Sequence, residues 1–444
     1  MKYTVITFGC RVNQADSLGF EEELLACGAE PSAVEHADTV VVNTCSVTSS
    51  ADQAARQAIR RIGRINPNAQ IIVTGCYATR APDAVRDLPD VVSVVPNGDK
   101  PRLVQLITSG MVLSGSSTAE RFGDGDGSCG AAIEPGVAGR TAFTLRVQTG
   151  CAEPCTYCII PITRGAPRSV PIDTVLREAG RVASRGFKEI AVTGVHLGSY
   201  GRDLMRQSSL GVLLRRLAHW SESATNADVL FRISSLEPMD CTPEVVDLVA
   251  SSPAFAPHFH LPLQHASDRV LRAMRRPYTL KQYANLVVDI RRRISDAAIG
   301  SDIIVGFPGE TDEDFEALIG YLGKSPLTHL HVFPYSDRPG TPAAAMSGRV
   351  PPPVVRARAQ RVREVSERLS KEFRESQVGS VHRALTLEDG SFAVTGNYLK
   401  VAIPPGRLRN ERVTVRISKD FTRAEVVEQR RLGGERDSSQ FLGR

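Results

Sequence analysis

Short apolar runs alternate with amphipathic stretches through the first hundred residues. Tyr3–Phe8 alternates as a strand and ends in Gly9-Cys10, and a helical stretch follows from about Gln14 to Ala26. Thr39–Asn43 is a continuous apolar strand ending in Thr44-Cys45, with a helix through Gln53–Arg64 behind it. Gln70–Thr74 is a third strand and ends in Gly75-Cys76. Strands of this kind interleaved with helices predict a parallel sheet covered on both faces.

The same rhythm returns after residue 140. Thr144–Gln148 is a strand that feeds into the loop Thr149–Pro161, and five further apolar segments recur with helices between them. They are Glu189–Thr193, Val229–Ile233, His258–Leu263, Asp302–Val305 and His329–Phe333. Six β–α repeats predict a partial (β/α) barrel, whose chemistry sits at the C-terminal ends of the strands. Val354–Glu375 has helical periodicity, and its arginines and lysine are partly offset by Glu364, Glu367, Glu372 and Glu375, as in a solvated helix laced with i,i+4 pairs. From Gly379 to about Glu428 the pattern shortens to the strands Val381–Leu387, Tyr398–Ile403 and Arg412–Ser418 around turns, the signature of a small β-barrel. Ser109 to Arg140 is Gly/Ser-rich and reads as a mobile linker. The expected fold class is α/β throughout. It comprises an N-terminal parallel α/β domain of Rossmann or flavodoxin-like type (1–110), a linker (111–139), a central partial (β/α)6 barrel (140–370) and a C-terminal β-barrel (377–440).

Composition narrows the setting. With 444 residues, 42% hydrophobic and 23% charged, the chain has material for about two to four globular domains. A net charge of +5 permits a polyanionic partner without requiring one. The N-terminal stretch reads as a strand rather than a signal peptide, and no run of about 18 apolar residues exists to span a membrane. Nine cysteines in such a chain point to a reducing compartment, so a cytoplasmic protein with no membrane partner is expected.

The cysteines carry the chemistry. Cys151, Cys155 and Cys158 are spaced C-x-x-x-C-x-x-C, which can turn three thiolates towards one point. Thiolates are the usual ligands of iron–sulfur clusters, and three of them leave one of four irons open. Zinc fits less well because no His or fourth Cys follows at a finger-like spacing, and a disulfide less still. Cys10, Cys45 and Cys76 each lie just past a strand's carboxyl end, the edge where open α/β sheets bind ligands, so a second cluster is expected there. Buried free cysteines are also common core residues, and Cys27 and Cys241 are read that way. Cys129 lies in the linker and is read as incidental, since a mobile loop cannot fix ligand geometry. His196, His260 and His265 are read as polar loop histidines without a metal role.

With Tyr157 before its last cysteine, the C-x-x-x-C-x-x-C loop resembles that of the radical S-adenosylmethionine (SAM) enzymes. Together with Cys10, Cys45 and Cys76 ahead of it, the chain is similar to the methylthiotransferases. Phe8-Gly9-Cys10-Arg11-Val12-Asn13-Gln14, Val42-Asn43-Thr44-Cys45-Ser46-Val47-Thr48 and the stretch His331–Pro342 resemble the branch acting on N6-threonylcarbamoyladenosine in tRNA. The resemblance implies two [4Fe-4S] clusters, one on Cys151, Cys155 and Cys158 whose open iron chelates SAM, and an auxiliary one on Cys10, Cys45 and Cys76. It implies SAM contacts at the strand ends Gly194, Ser234 and Gly306, and a C-terminal TRAM-like RNA-binding barrel in which Tyr398 and Lys400 meet RNA. The implied reaction starts with reductive cleavage of SAM to a 5′-deoxyadenosyl radical and inserts a methylthio group at C2 of the modified adenosine. The implied partners are a tRNA anticodon stem-loop and a flavodoxin- or ferredoxin-like electron donor, while nothing identifies the sulfur source. Departures are local: Thr149 replaces a common acidic residue, Ala152-Glu153-Pro154 is an unusual filling, Arg164–Ser169 keeps part of a basic pattern, and a His expected before Asn397 is missing. Rival readings are the isopentenyladenosine and ribosomal-protein branches. From another class come a two-cluster electron carrier and an RNA-binding protein with structural clusters, against which two triads each one ligand short both argue.

Overall fold

The structure, a computed structural model, describes residues 1–109, 135, 141–223 and 225–427. Most of the expected linker, with Cys129, and the last residues of the expected C-terminal barrel lie outside the described residues. Strands β1 (Lys2–Thr7), β2 (Glu30–Pro31), β3 (Thr39–Thr44), β4 (Gln70–Gly75) and β5 (Val91–Val95) form one parallel sheet in the order β2-β1-β3-β4-β5. Val40 and Val42 pack on one face with Ile59 and Ile71, while Val41 packs on the other with Phe20 and Leu24. Both faces are covered, which is why the run in the sequence is unbroken. This is the flavodoxin-like strand order, whose ligand crevice opens between the carboxyl ends of β1 and β3.

The central wall comes in two three-stranded parallel halves. One is β6 (Phe143–Arg146), β9 (Glu189–Thr193) and β10 (Leu230–Ile233); the other is β11 (His258–His260), β12 (Ala298–Val305) and β13 (His329–Pro334). A short antiparallel clip, β7 (Gln148–Thr149) with β8 (Arg168–Ser169), brackets the cysteine loop. The halves meet at a bridge from Phe231 to Phe255, with Phe231 N donating to Ala254 O and Ala256 N to Phe231 O. Pro257, which has no N–H, follows at once, so the ladder cannot run on into β11. Pro262 likewise cuts the expected strand His258–Leu263 short at His260.

Five antiparallel strands build the C-terminal barrel: β14 (Val381–Leu387), β15 (Phe392–Thr395), β16 (Lys400–Ala402), β17 (Arg412–Ile417) and β18 (Ala424–Val426). The sequence pattern predicted three of these and passed over β15 and β18, which are short. Closure comes where Ala402 N donates to Thr422 O at 2.9 Å. The barrel docks on the central wall through buried groups. Arg232 is paired with Glu189 at 2.9 Å and donates to Gly396 O at 2.8 Å, and Asn397 Nδ2 donates to Asp296 O at 3.0 Å.

Tyr398 takes part in this docking while staying nearly half exposed. Its ring lies 4.5 Å from the Arg232 guanidinium and 5.1 Å from the His258 ring, and its hydroxyl accepts from Arg11 at 3.1 Å. At 46% exposure it sits at the joint of the three parts with part of its side chain open to solvent. Lys400 is paired with Glu388 at 2.6 Å. The long helix Pro352–Ser376 spends much of its positive charge on the protein itself, with Arg358 on Glu310 and Arg361 on Glu316.

Candidate active site

Cys10, Cys45 and Cys76 follow β1, β3 and β4, which are neighbours paired Thr7 to Asn43 and Thr44 to Gly75. They therefore share one rim. Gly9, at φ +92°, turns the chain over Cys45: a Cβ there would lie 2.5 Å from Cys45 Cβ. Cys45 and Cys76 are buried and Cys10 is exposed. Burial pushes the Cys45 thiol up to about 12, and the neighbouring Cys10 and Cys76 add to the rise. Without a metal centre this thiol is protonated at neutral pH, and ligation must displace its proton.

Buried cations stand behind that rim. Asp16 accepts from Lys100 Nζ at 2.6 Å, from Arg164 Nη2 at 3.1 Å and from Arg146. Burial opposes its ionisation, yet Lys100, Arg146 and Arg164 together hold the carboxyl well below its usual range. Arg164 is held above its ordinary value in turn: burial works against its charge, and Asp16, Cys76 and Cys10 outweigh burial. Lys100 also lies in the field of Cys76. Three buried cations around one carboxylate leave positive charge that thiolates on the rim would balance. The donor set thus suits an anionic, thiolate-held centre.

The second triad is local. Gly150, at φ +76°, brings the loop under its own end, since a Cβ there would lie 1.9 Å from Ala166 O. Cys151 N donates to Gly165 O at 3.0 Å and Cys158 N to Cys155 O at 3.2 Å. Arg276, buried and paired with Glu237, places Nη1 3.0 Å from Cys155 Sγ. Burial pushes Cys151 up to about 11 and Cys158 up to about 12. It also raises Cys155, against the pull of Arg276.

Among the described residues, the three-ligand group with donor atoms all within 4.8 Å of one another is His260, Asp302 and His331.

Cysteines of both triads line two adjoining cavities. The larger of the two, about 850 Å³, is lined by Cys10, Cys45, Gly194 and Ser234 among others. The smaller, about 160 Å³, reaches Tyr157 and Cys158 and shares Val47, Thr48, Ile160, Asp302 and Phe333 with the first. The Ser234 hydroxyl is buried at the larger one with no hydrogen-bond partner among the described residues, a place for a polar ligand atom. Gly306 is not brought to this lining. It faces Val355 of the long helix, whose Cγ2 would lie 2.5 Å from a Cβ, so helix packing accounts for the glycine. Cys241 is buried, and Cys27 ends its helix half-buried.

The histidine reading needs correction. His196 and His265 are buried rather than solvated, and His260 lies on β11 facing the cavity. Sequence reasoning also passed over Asp16, Lys100, Arg164, Arg276, Asp302 and His331. A signal existed for His331, though not for its pairing with Asp302: His258-Phe259-His260 and His329-Leu330-His331 alternate with period two, placing each histidine pair on one face of its strand.

Residues 2–96 match the family described as Uncharacterized protein family UPF0004, and residues 145–322 match the Radical SAM superfamily. The chain is 35% identical over 411 residues to threonylcarbamoyladenosine tRNA methylthiotransferase MtaB of Bacillus subtilis, covering 89% of this chain and 88% of that one. The protein of the same name from Aquifex aeolicus is 34% identical, with 90% and 96% covered. Ribosomal protein uS12 methylthiotransferase RimO of Desulforudis audaxviator is 35% identical, with 85% and 84% covered, so identity alone does not separate the substrates. Among solved structures, the radical SAM methyltransferase TsrM of Kitasatospora setae, with cobalamin and a [4Fe-4S] cluster bound, shares the fold at TM-score 0.54 and 15% identity over 77% of each chain.

Proposed function

The chain belongs to the radical SAM methylthiotransferases, and on that premise we propose that it inserts a methylthio group at C2 of N6-threonylcarbamoyladenosine beside the anticodon of tRNA. The observation that carries this reading is a pair of adjoining cavities lined by cysteines from two triads, each triad one ligand short of a four-iron cluster. Cys151, Cys155 and Cys158 would hold one [4Fe-4S] cluster, and Cys10, Cys45 and Cys76 the other. When bound, these groups supply one-electron reduction of SAM at the first site and the sulfur to be transferred at the second.

The chain's own residues hold, orient and enclose. Arg276 fixes the Cys155 sulfur from behind. Ser234 and Gly194 offer a hydroxyl and a close backbone approach for SAM. Arg164 ties the cysteine loop to Asn13 and Asp16, so that the two metal-binding regions keep one spacing. Tyr398 and Arg11 join the C-terminal barrel to the N-terminal domain along the wall of the larger cavity. A flavodoxin- or ferredoxin-like protein is the proposed electron donor.

Mass spectrometry of tRNA nucleosides from cells lacking this gene, with and without complementation, tests the reading. Loss and rescue of the 2-methylthio form of threonylcarbamoyladenosine is the expected result. A change confined to an isopentenyl nucleoside moves the substrate but keeps the chemistry. Unchanged tRNA excludes a tRNA substrate.

A further inference from the structure

Inward positions of a (β/α) wall are ordinarily filled by branched apolar side chains. On β11, β12 and β13 they are not. His258, His260, Asp302, His329 and His331 all line the cavity. Gly300 makes the room, being paired with His260 on one side and His329 on the other. A Cβ on it would lie 2.2 Å from His329 Nε2 and 3.0 Å from His260 Nδ1.

One carboxylate oxygen organises the array. Asp302 Oδ1 lies 2.9 Å from His260 Nε2 and 3.2 Å from His331 Nδ1, so it accepts an N–H from each imidazole. That leaves Nε2 as the free edge of His331, whose side chain is 57% exposed against 22% for Asp302 and 12% for His260. The bond to Asp302 raises His331 above its ordinary value, which favours a second proton on that free edge. Deeper in, His258 Nδ1 is buried without a partner. Burial lowers both His258 and His329, so these two are neutral and can accept or donate. The chamber's charged lining is Arg11, Arg164 and Arg374 against Asp302, an excess of positive charge. A hydrocarbon substituent would strip water from these groups and give nothing back, whereas carbonyl, hydroxyl and carboxylate oxygens would satisfy them.

We propose that this array is the subsite for the N6 side chain of the substrate nucleoside, with His331 Nε2 donating to its carboxylate and His258 to a neutral polar atom of the same side chain. The inference rests on threonylcarbamoyladenosine as substrate.

The test uses reconstituted holoenzyme and anticodon stem-loops carrying threonylcarbamoyladenosine, its methyl ester, or isopentenyladenosine. Wild type is expected to prefer the acid over the ester by about tenfold or more in kcat/KM, the scale of a charge-assisted hydrogen bond. His331→Ala is expected to bring that ratio close to one, through KM for the acid. If His331→Ala fails to hold its clusters, His331→Gln is measured instead, since it keeps a polar group for Asp302 and lacks the charge. Equal use of acid and ester by wild type, or an unchanged ratio in the variant, overturns the subsite and leaves the substrate reading standing. Turnover of the isopentenyl stem-loop alone overturns the substrate reading itself. A preference that vanishes on dialysis against a chelator and returns with Zn²⁺ overturns direct contact in favour of an ion held by His260, Asp302 and His331.

Discussion

The two cysteine triads reach adjoining cavities by opposite routes. One is written inside a single loop, pinned by a two-residue clip and by Gly150. The other exists only when three strands of a parallel sheet lie in register, and it leans on cations contributed partly by the central wall. A loop site is set by local hydrogen bonds, whereas a rim site inherits every error of the sheet behind it. Burial differs too: Cys151, Cys155 and Cys158 are all partly exposed, whereas the rim buries Cys45 and Cys76 and exposes Cys10.

Removing ligands breaks the comparison most sharply. Cys155→Ala should abolish 5′-deoxyadenosine formation from SAM and lower bound iron by about half, as four of about eight irons are lost. Cys45→Ala should lose a similar share of iron yet still form 5′-deoxyadenosine, with no methylthio nucleoside made. Chromatography of the products and an iron assay read both variants, and matching defects would mean that the triads do not act separately.

Charge comes next. Asp16→Asn leaves Lys100, Arg146 and Arg164 buried without their shared carboxylate. Urea unfolding should show a loss of about 3–5 kcal/mol, the usual scale for a broken buried ion pair. An unchanged midpoint would show that the cations find other partners. Gly9→Ala and Gly150→Ala form a matched pair, each forcing a side chain into a left-handed position, the first against Cys45 of the rim and the second against the Ala166 backbone that closes the cysteine loop. Each should cost about 1–3 kcal/mol and reduce iron only at its own site, as Mössbauer or EPR quantitation would report. The smallest effect is expected from Arg276→Gln, which removes a cation beside the Cys155 sulfur. The loop cluster's potential should fall by on the order of 60 mV, about tenfold in its redox equilibrium.

What the sequence made legible follows the same division. The loop triad is a spacing, and spacing can be read directly. The rim triad was readable because each cysteine ends a strand whose apolar run is plain, and parallel strands end on one edge. Asp16 was not readable: it sits on a helix that buries polar residues such as Asn13, Ser17 and Glu22 beside apolar ones, and nothing in Arg11–Ala26 says that Lys100, Arg146 and Arg164 will converge on it. His331 was hidden for a related reason. Its partner Asp302 lies on another strand, and only the register of β12 against β13 sets them opposite. Tyr398 read as surface and is 46% exposed, but its contacts with Arg232, His258 and Arg11 were not legible, since they depend on how the barrel docks.

The contact between Arg11 and Tyr398 has a consequence in time. The two residues stand 387 positions apart. At ribosomal speeds of about 5–20 residues per second, on the order of 20–80 s separates their synthesis. The N-terminal sheet is complete early in that interval, with its cysteine rim uncovered, and the floor of the cavity is the last part to be made. The growing chain therefore presents Cys10, Cys45 and Cys76 on a finished rim long before the barrel that carries Tyr398 exists.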